Sequence, residues 1–249
     1  MNHQMPYVIV LLSAVVCTVL MQYVVRIETP KIGFSAPPRE ALVAVIPLSI
    51  LVVLTTIVFL GASATESSVA SEVQRTSYTL GNAVRQLFLN AAIFLPFGIT
   101  MLVRKQGLST IGMGLRNLRS SLLVGLSASL VAIAVFGKLD SAFWFSADTL
   151  YRLIAQVGVG MSEEAIFRGY LQSRFSAWLG SDRGWLLVAA VFALVHIPQR
   201  MESGISGNEL AVDMIVLVIW GLAFGWAMKK MGNIAGLIFL HAVMNLVGP

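Results

Sequence analysis

The run YVIVLLSAVVCTVLMQYVV, residues 7–25, carries no charged side chain over nineteen consecutive positions. A helix that crosses a bilayer needs about 20 mostly apolar residues, so the run reads as a span over 6–25. A secretory leader would begin with positive charge and end in a small-residue cleavage site. The run has neither a positive start nor a convincing cleavage site, so it is expected to stay in place as a helix.

Outward from this run the pattern recurs. Further candidate spans fall at 41–60, 86–103, 120–137, 149–171, 184–198, 211–228 and 233–247, about eight in all. The spans at 184–198 and 233–247 are near or below the usual minimum of ~17 residues. They are expected to stop inside the protein, where neighbouring helices or a wet cavity satisfy the backbone. Of the 249 residues 57% are hydrophobic and 12% charged, about half the charged share of roughly 25% in soluble domains. Mean hydropathy is +0.82. A water-soluble fold cannot hide that much apolar surface, and the same composition excludes a disordered chain or a nucleic-acid-binding module. The expected fold is an all-α polytopic membrane helix bundle with about eight transmembrane helices. It is read as a single membrane domain over 1–249, with the lipid bilayer as partner and no nucleic acid. The lone cysteine, Cys17, allows no intramolecular disulfide and no cysteine metal cluster.

The net charge of +5 is unevenly spread. The connections after the first, third, fifth and seventh spans carry Arg26, Lys31, Arg39, Arg104, Lys105, Arg116, Arg119, Arg174, Arg183, Lys229 and Lys230, eleven cations. The other side carries five: Arg75, Arg85, Lys138, Arg152 and Arg200. Cytoplasmic loops hold the excess of Lys and Arg, so both termini are expected outside the cytoplasm. The Ser/Thr-rich connector 62–83 is expected to be a flexible outer loop, and Phe143 to Phe145 with Tyr151 suit an aromatic belt at the outer interface. The pairs Gly221/Gly225 and Gly232/Gly236 read either as ordinary membrane glycines or as close-approach points for the last two spans.

Ten of the twelve acidic residues lie in loops or at span edges; Glu163 and Glu164 sit side by side in the middle of the fifth span. A charge at the bilayer centre costs at least ~2.5–3.5 kcal/mol on insertion scales, so the pair needs partners. Arg168 follows Glu164 by four and shares its helix face; Glu164 is then half of an internal ion pair. Glu163 points about 100° away around the helix and needs a different partner. His3 is terminal, while His196 and His241 lie in apolar runs, with Asn245 one turn after His241 and Phe192 one turn before His196. At ~1.5 Å rise per residue, Glu163, His196, His241 and Asn245 all fall roughly 13–19 Å from the cytoplasmic ends of their spans, near one level of a ~30 Å core. Asn90 and Gln86 in the third span read as helix–helix glue.

A carboxylate and two imidazoles in a low-dielectric pocket form a hydrolytic set: the carboxylate takes a proton from water, one histidine orients that water, and donors stabilise an oxyanion. The same Glu163, His196 and His241 are also a possible zinc set with water in the open position. The chain has no HExxH, no central Asp in any span for an aspartyl dyad, and no GxSxG, because Ser162 is followed by Glu163.

EEAIFR (Glu163 to Arg168), FALVH (Phe192 to His196) and HAVMN (His241 to Asn245) resemble, in order and spacing, the EExxxR, FxxxH and HxxxN motifs of the CPBP family of intramembrane proteases. That family, also called Abi, includes CaaX prenyl proteases and bacteriocin-processing or self-immunity proteins. The resemblance covers about 160–249, with the motif helices within 149–247. It implies that Glu163 activates water, supported by Glu164 and Arg168; that His196 binds that water or a metal; and that His241 and Asn245 form the oxyanion site. It leaves open a glutamate-dependent or a metalloprotease mechanism, with zinc as the possible cofactor.

The resulting expectation is an intramembrane endopeptidase of the cell membrane, bacterial by its lack of eukaryotic features, acting on a membrane-associated protein or peptide. The alternative is a non-catalytic membrane immunity or adaptor protein that binds a peptide in the same cavity. A proton-relay transporter ranks last, because no matching broken repeats are seen.

Overall fold

The computed structural model describes residues 5–25, 27, 33–62, 77–202 and 204–248. His3, Arg26, Lys31, Arg75 and residues 63–76 of the Ser/Thr-rich connector lie outside the described residues. All the regular elements described are helical, as the apolar runs require. They are α1 Met5–Val25, α2 Pro37–Ala62, α3 Leu80–Val103, a 3-10 turn at Leu108–Ile111, α4 Leu118–Val135, the short α5 Ser141–Trp144, and α6 Ala147–Glu164. A π-helical segment Ala165–Leu171 leads into α7 Gln172–Leu179, followed by α8 Ser181–Val195, α9 Ile197–Glu202, α10 Gly207–Met231 and α11 Ala235–Val247.

Local chemistry sets the ends. Reciprocal capping boxes open α3 (Thr79 with Asn82) and α10 (Ser206 with Glu209), and Ser146 caps α6. Gly232 closes α10 in the left-handed region at φ 64°, which a residue with a Cβ rarely adopts.

Among the described residues, six helical stretches are long and apolar enough to cross a membrane. The expected count of eight is therefore approximate, and the two that fall short do so for one physical reason. The fifth expected span, 149–171, is the continuous α6–π–α7 rod. It carries Glu163, Glu164, Arg168 and Arg174, and every residue of its π segment is buried. The eighth, α11, has only 13 residues, most of them buried. α11 stands inside the bundle, and the rod is buried through its π segment and the start of α7 while Leu150, Val157 and Met161 of α6 stay exposed, so neither needs a long, wholly apolar lipid-facing stretch. α11 packs against α4 and α6, α6 packs against α3, and α1 packs against α4 and α10.

Close approach of backbones makes this packing possible. A Cβ at Gly236 would fall 1.7 Å from the Ser121 carbonyl oxygen, and one at Gly125 would fall 2.2 Å from that of Gly236. Gly221 lies against Ala189 of α8, and Gly225 against Gln172 and Trp185. Of the four glycines singled out in the sequence, three are contact points and Gly232 is a helix terminator.

Different polar contacts tie the two ends of the bundle. At one end Glu40 binds Arg104 and Gln106, Gln106 binds Arg174, and Asp182 binds Lys229. The Asn117 amide donates to the Met231 carbonyl at 2.7 Å, and that of Asn233 to the Gly114 carbonyl at 2.7 Å. At the opposite end the Tyr78 N–H donates to Asp148, Arg200 lies 3.7 Å from Asp213, and Tyr7 packs edge-on against Phe136 at 5.0 Å.

Candidate active site

Glu163 and Glu164 end α6, and being successive helix residues they point in different directions. Glu164 turns into the protein and is 0% exposed; its Oε1 lies 2.7 Å from His241 Nδ1 and its Oε2 3.3 Å from Arg168 Nε. The Arg168 guanidinium is itself buried, stacked over Phe192 at 4.1 Å and facing Phe224 at 5.5 Å. These ring faces offset part of the desolvation of the charge. The spacing of four between Glu164 and Arg168 thus gives the ion pair expected from the sequence.

Glu163 turns the other way, with 24% of its side chain exposed to the cavity. Its Oε2 lies 3.6 Å from His196 Nε2 and 3.8 Å from His241 Nε2. His196 Nδ1 is 2.6 Å from the Phe192 carbonyl oxygen. A carbonyl only accepts, so Nδ1 carries the proton, and a neutral His196 presents a bare Nε2 to Glu163. Phe192 also stacks on the His196 ring at 4.6 Å, the contact its spacing suggested.

His196 is not within a continuous helix. It caps the C-terminus of α8, and the chain restarts as α9. The break puts the imidazole at the rim of an inner cavity. The expectation that this helix stops inside the protein is not met: α8 continues through α9 as a 22-residue stretch, Ser181–Glu202, long and apolar enough to cross a membrane. On α11, His241 is held against Trp220 at 5.0 Å and Phe224 at 6.2 Å. Asn245, one turn on, donates through Nδ2 to Gln156 Oε1 at 3.0 Å. Asn90 acts as the expected glue: it accepts from Ser162 Oγ at 2.9 Å and donates to the Gln86 carbonyl at 2.8 Å, fixing α3 beside the Glu163 turn.

Glu163, His196, His241 and Asn245 line one cavity of about 600 Å³, while Glu164 and Arg168 stand behind its wall. Gln156, Trp220 and Tyr7 also line it and were not singled out from the sequence. Gln156 could have been found: it precedes Glu163 by seven, two helical turns, and so shares its face. The π segment had no comparable signal. It packs on the 3-10 turn so tightly that a Cβ at Gly169 would fall 2.5 Å from the Ile111 carbonyl oxygen, and π segments recur at functional sites. The proposed zinc donors Glu163, His196 and His241 share the cavity. Among the described residues, however, no three His, Cys, Asp or Glu side chains are grouped so as to hold a metal ion.

The fold and this cluster define a polytopic helical membrane protein with a carboxylate–imidazole centre set inside its bundle. Residues 144–247 match the model of the family described as Type II CAAX prenyl endopeptidase Rce1-like. That is a protease family, and the match spans all three motifs, so the resemblance to CPBP proteases is borne out over this part of the chain. No curated protein and no solved structure matches the chain.

Proposed function

We propose that the protein is an intramembrane endopeptidase that hydrolyses a peptide bond in a membrane-associated protein or peptide, using water activated by Glu163. The observation that carries this reading is the approach of the Glu163 carboxylate to the Nε2 atoms of two histidines, at 3.6 and 3.8 Å, on the wall of a cavity.

Water between Glu163 and the bare Nε2 of His196 donates to both acceptors, which turns its lone pair toward the cavity. As its oxygen attacks the scissile carbonyl carbon, its proton passes to Glu163. The negative charge that develops on the carbonyl oxygen is met by the second Nδ2–H of Asn245 and by Nε2–H of a protonated His241, whose Nδ1–H donates to Glu164. Glu163 then returns the proton to the leaving nitrogen as the C–N bond breaks. Glu164 and Arg168 act through His241: they fix its ring and never touch substrate. The zinc alternative would use Glu163, His196 and His241. No step here runs through a metal. The setting proposed is a bacterial cell membrane, with both termini outside the cytoplasm.

The test compares protein termini in membranes from cells making the wild type and cells making Glu163→Gln at equal level. New termini present only with the wild type are the expected result and would name a substrate. Identical termini, with the variant still supporting the wild-type phenotype, would replace hydrolysis with peptide binding.

A further inference from the structure

The cavity has a direction. Its floor is formed by Glu163, Ile166 and Phe167, where α6 passes into the π segment. Its walls reach Tyr7 at the start of α1, Tyr78 just before α3, and Gln199 and Arg200 on α9. All four lie at one end of the bundle, the end tied by Tyr78 with Asp148, Arg200 with Asp213 and Tyr7 with Phe136. No residue of the Glu40–Arg104–Arg174 end lines it.

The two ends differ sharply in charge. Among the described residues, the closed end carries Arg39, Arg104, Lys105, Arg116, Arg119, Arg174, Arg183, Lys229 and Lys230 against the carboxylates Glu40 and Asp182. The end with the cavity mouth carries Arg85, Lys138, Arg152 and Arg200 against Asp140, Asp148, Glu202, Glu209 and Asp213. Nine cations against two carboxylates, compared with four against five, is a wide bias, and Lys and Arg collect on the cytoplasmic side.

We infer that the reactive cavity opens to the non-cytoplasmic side of the membrane. The substrate class is then a membrane-associated polypeptide whose scissile bond is presented from outside the cytoplasm, such as an exported or outward-facing segment, and not a cytoplasmic tail. The substrate half of this inference rests on the proteolytic reading of the site; the access half does not.

Single cysteines introduced into a Cys17→Ala background test it. Leu139, 73% exposed, reports the cavity end; Leu115, 89% exposed, reports the closed end; Gln199 reports the cavity wall. Each variant is first required to elute like the parent from a sizing column in detergent. Intact expressing cells, or spheroplasts, are then treated with a membrane-impermeant maleimide. The expected result is labelling of Leu139→Cys and Gln199→Cys in intact cells, with Leu115→Cys labelled only after permeabilisation. The reverse pattern overturns the inference. So does a Gln199→Cys that resists the reagent on both sides while Leu139→Cys reacts.

The substrate half is read with an impermeant amine reagent. New Glu163-dependent amino termini should be labelled in intact cells. Termini labelled only after permeabilisation overturn outward presentation while leaving proteolysis standing. The expected cysteine pattern with no new termini does the opposite: access stands and proteolysis falls.

Discussion

Glu164 Oε1 lies 2.7 Å from His241 Nδ1, joining the end of α6 to the middle of α11 across 77 residues of sequence. The other oxygen of the same carboxylate faces Arg168 at 3.3 Å. One buried side chain therefore balances a guanidinium and aims an imidazole. Removing one partner of a buried ion pair costs about 3–5 kcal/mol because the remaining charge is stranded. Glu164→Gln is expected to lower the melting temperature in detergent markedly and to abolish cleavage. Adding Arg168→Met, which removes the stranded charge, is expected to recover much of the melting temperature and none of the cleavage. A single Glu164→Gln variant as stable as the wild type would remove the ion pair from this account.

Glu163 behaves differently because it faces the cavity and lies beyond hydrogen-bond distance of both imidazoles. Glu163→Gln keeps the shape and removes the base. The expected outcome is a loss of ~10²–10⁴-fold in cleavage rate, the usual contribution of general base catalysis, with the melting temperature unchanged. Cleavage at the wild-type rate by Glu163→Gln would reassign the base.

How far these features were legible depends on what surrounds each residue. Spans bathed in lipid must be long and apolar, so α1 to α4, α8 and α10 announce themselves by hydropathy. The π segment of the α6–π–α7 rod and most of α11 are buried in protein, so what marks them is polar content at helical spacing, Glu164 with Arg168 and His241 with Asn245. The break at His196 had a signal in Pro198, which has no N–H to continue the hydrogen-bond ladder of α8. The contact of Asn245 with Gln156 spans 89 positions, and nothing local to either residue specifies it. The same holds for the π segment, whose shape answers to Gly169 pressing on Ile111.

Gly236 carries the tightest helix contact, with its built Cβ 1.7 Å from backbone oxygen of α4. Backbone cannot step aside as a side-chain tip can, so Gly236→Ala forces α4 and α11 apart. Overpacking of this kind costs typically ~1–3 kcal/mol. The expected outcome is a clear fall in detergent melting temperature, with Gly207→Ala as the control, because nothing lies within 4 Å of a Cβ there. Equal melting of the two variants would show that the α4–α11 contact is looser than described.

Metal dependence separates the two mechanisms that the motifs left open. In the glutamate mechanism the water is held by Glu163 Oε2 and His196 Nε2 alone. Cleavage by purified protein is then expected to survive extended dialysis against a strong chelator, with metal content measured on the same sample. Loss of cleavage restored by added zinc would instead make Glu163, His196 and His241 metal ligands.

Asn245 offers two Nδ2–H donors, one of which is committed to Gln156 Oε1 at 3.0 Å. The second is free to meet an oxyanion in the cavity. Losing a single oxyanion donor costs about 10²–10³-fold in kcat, so Asn245→Ala is expected to fall in that range with KM nearly unchanged. Gln156 only turns the amide, so Gln156→Ala should cost less, and Gln156→Glu, which keeps an acceptor at that position, should recover most of the rate. The measurement is steady-state cleavage of an identified substrate by detergent-purified variants. An Asn245→Ala effect confined to KM would make this amide a substrate-binding group, and the oxyanion would then rest on His241.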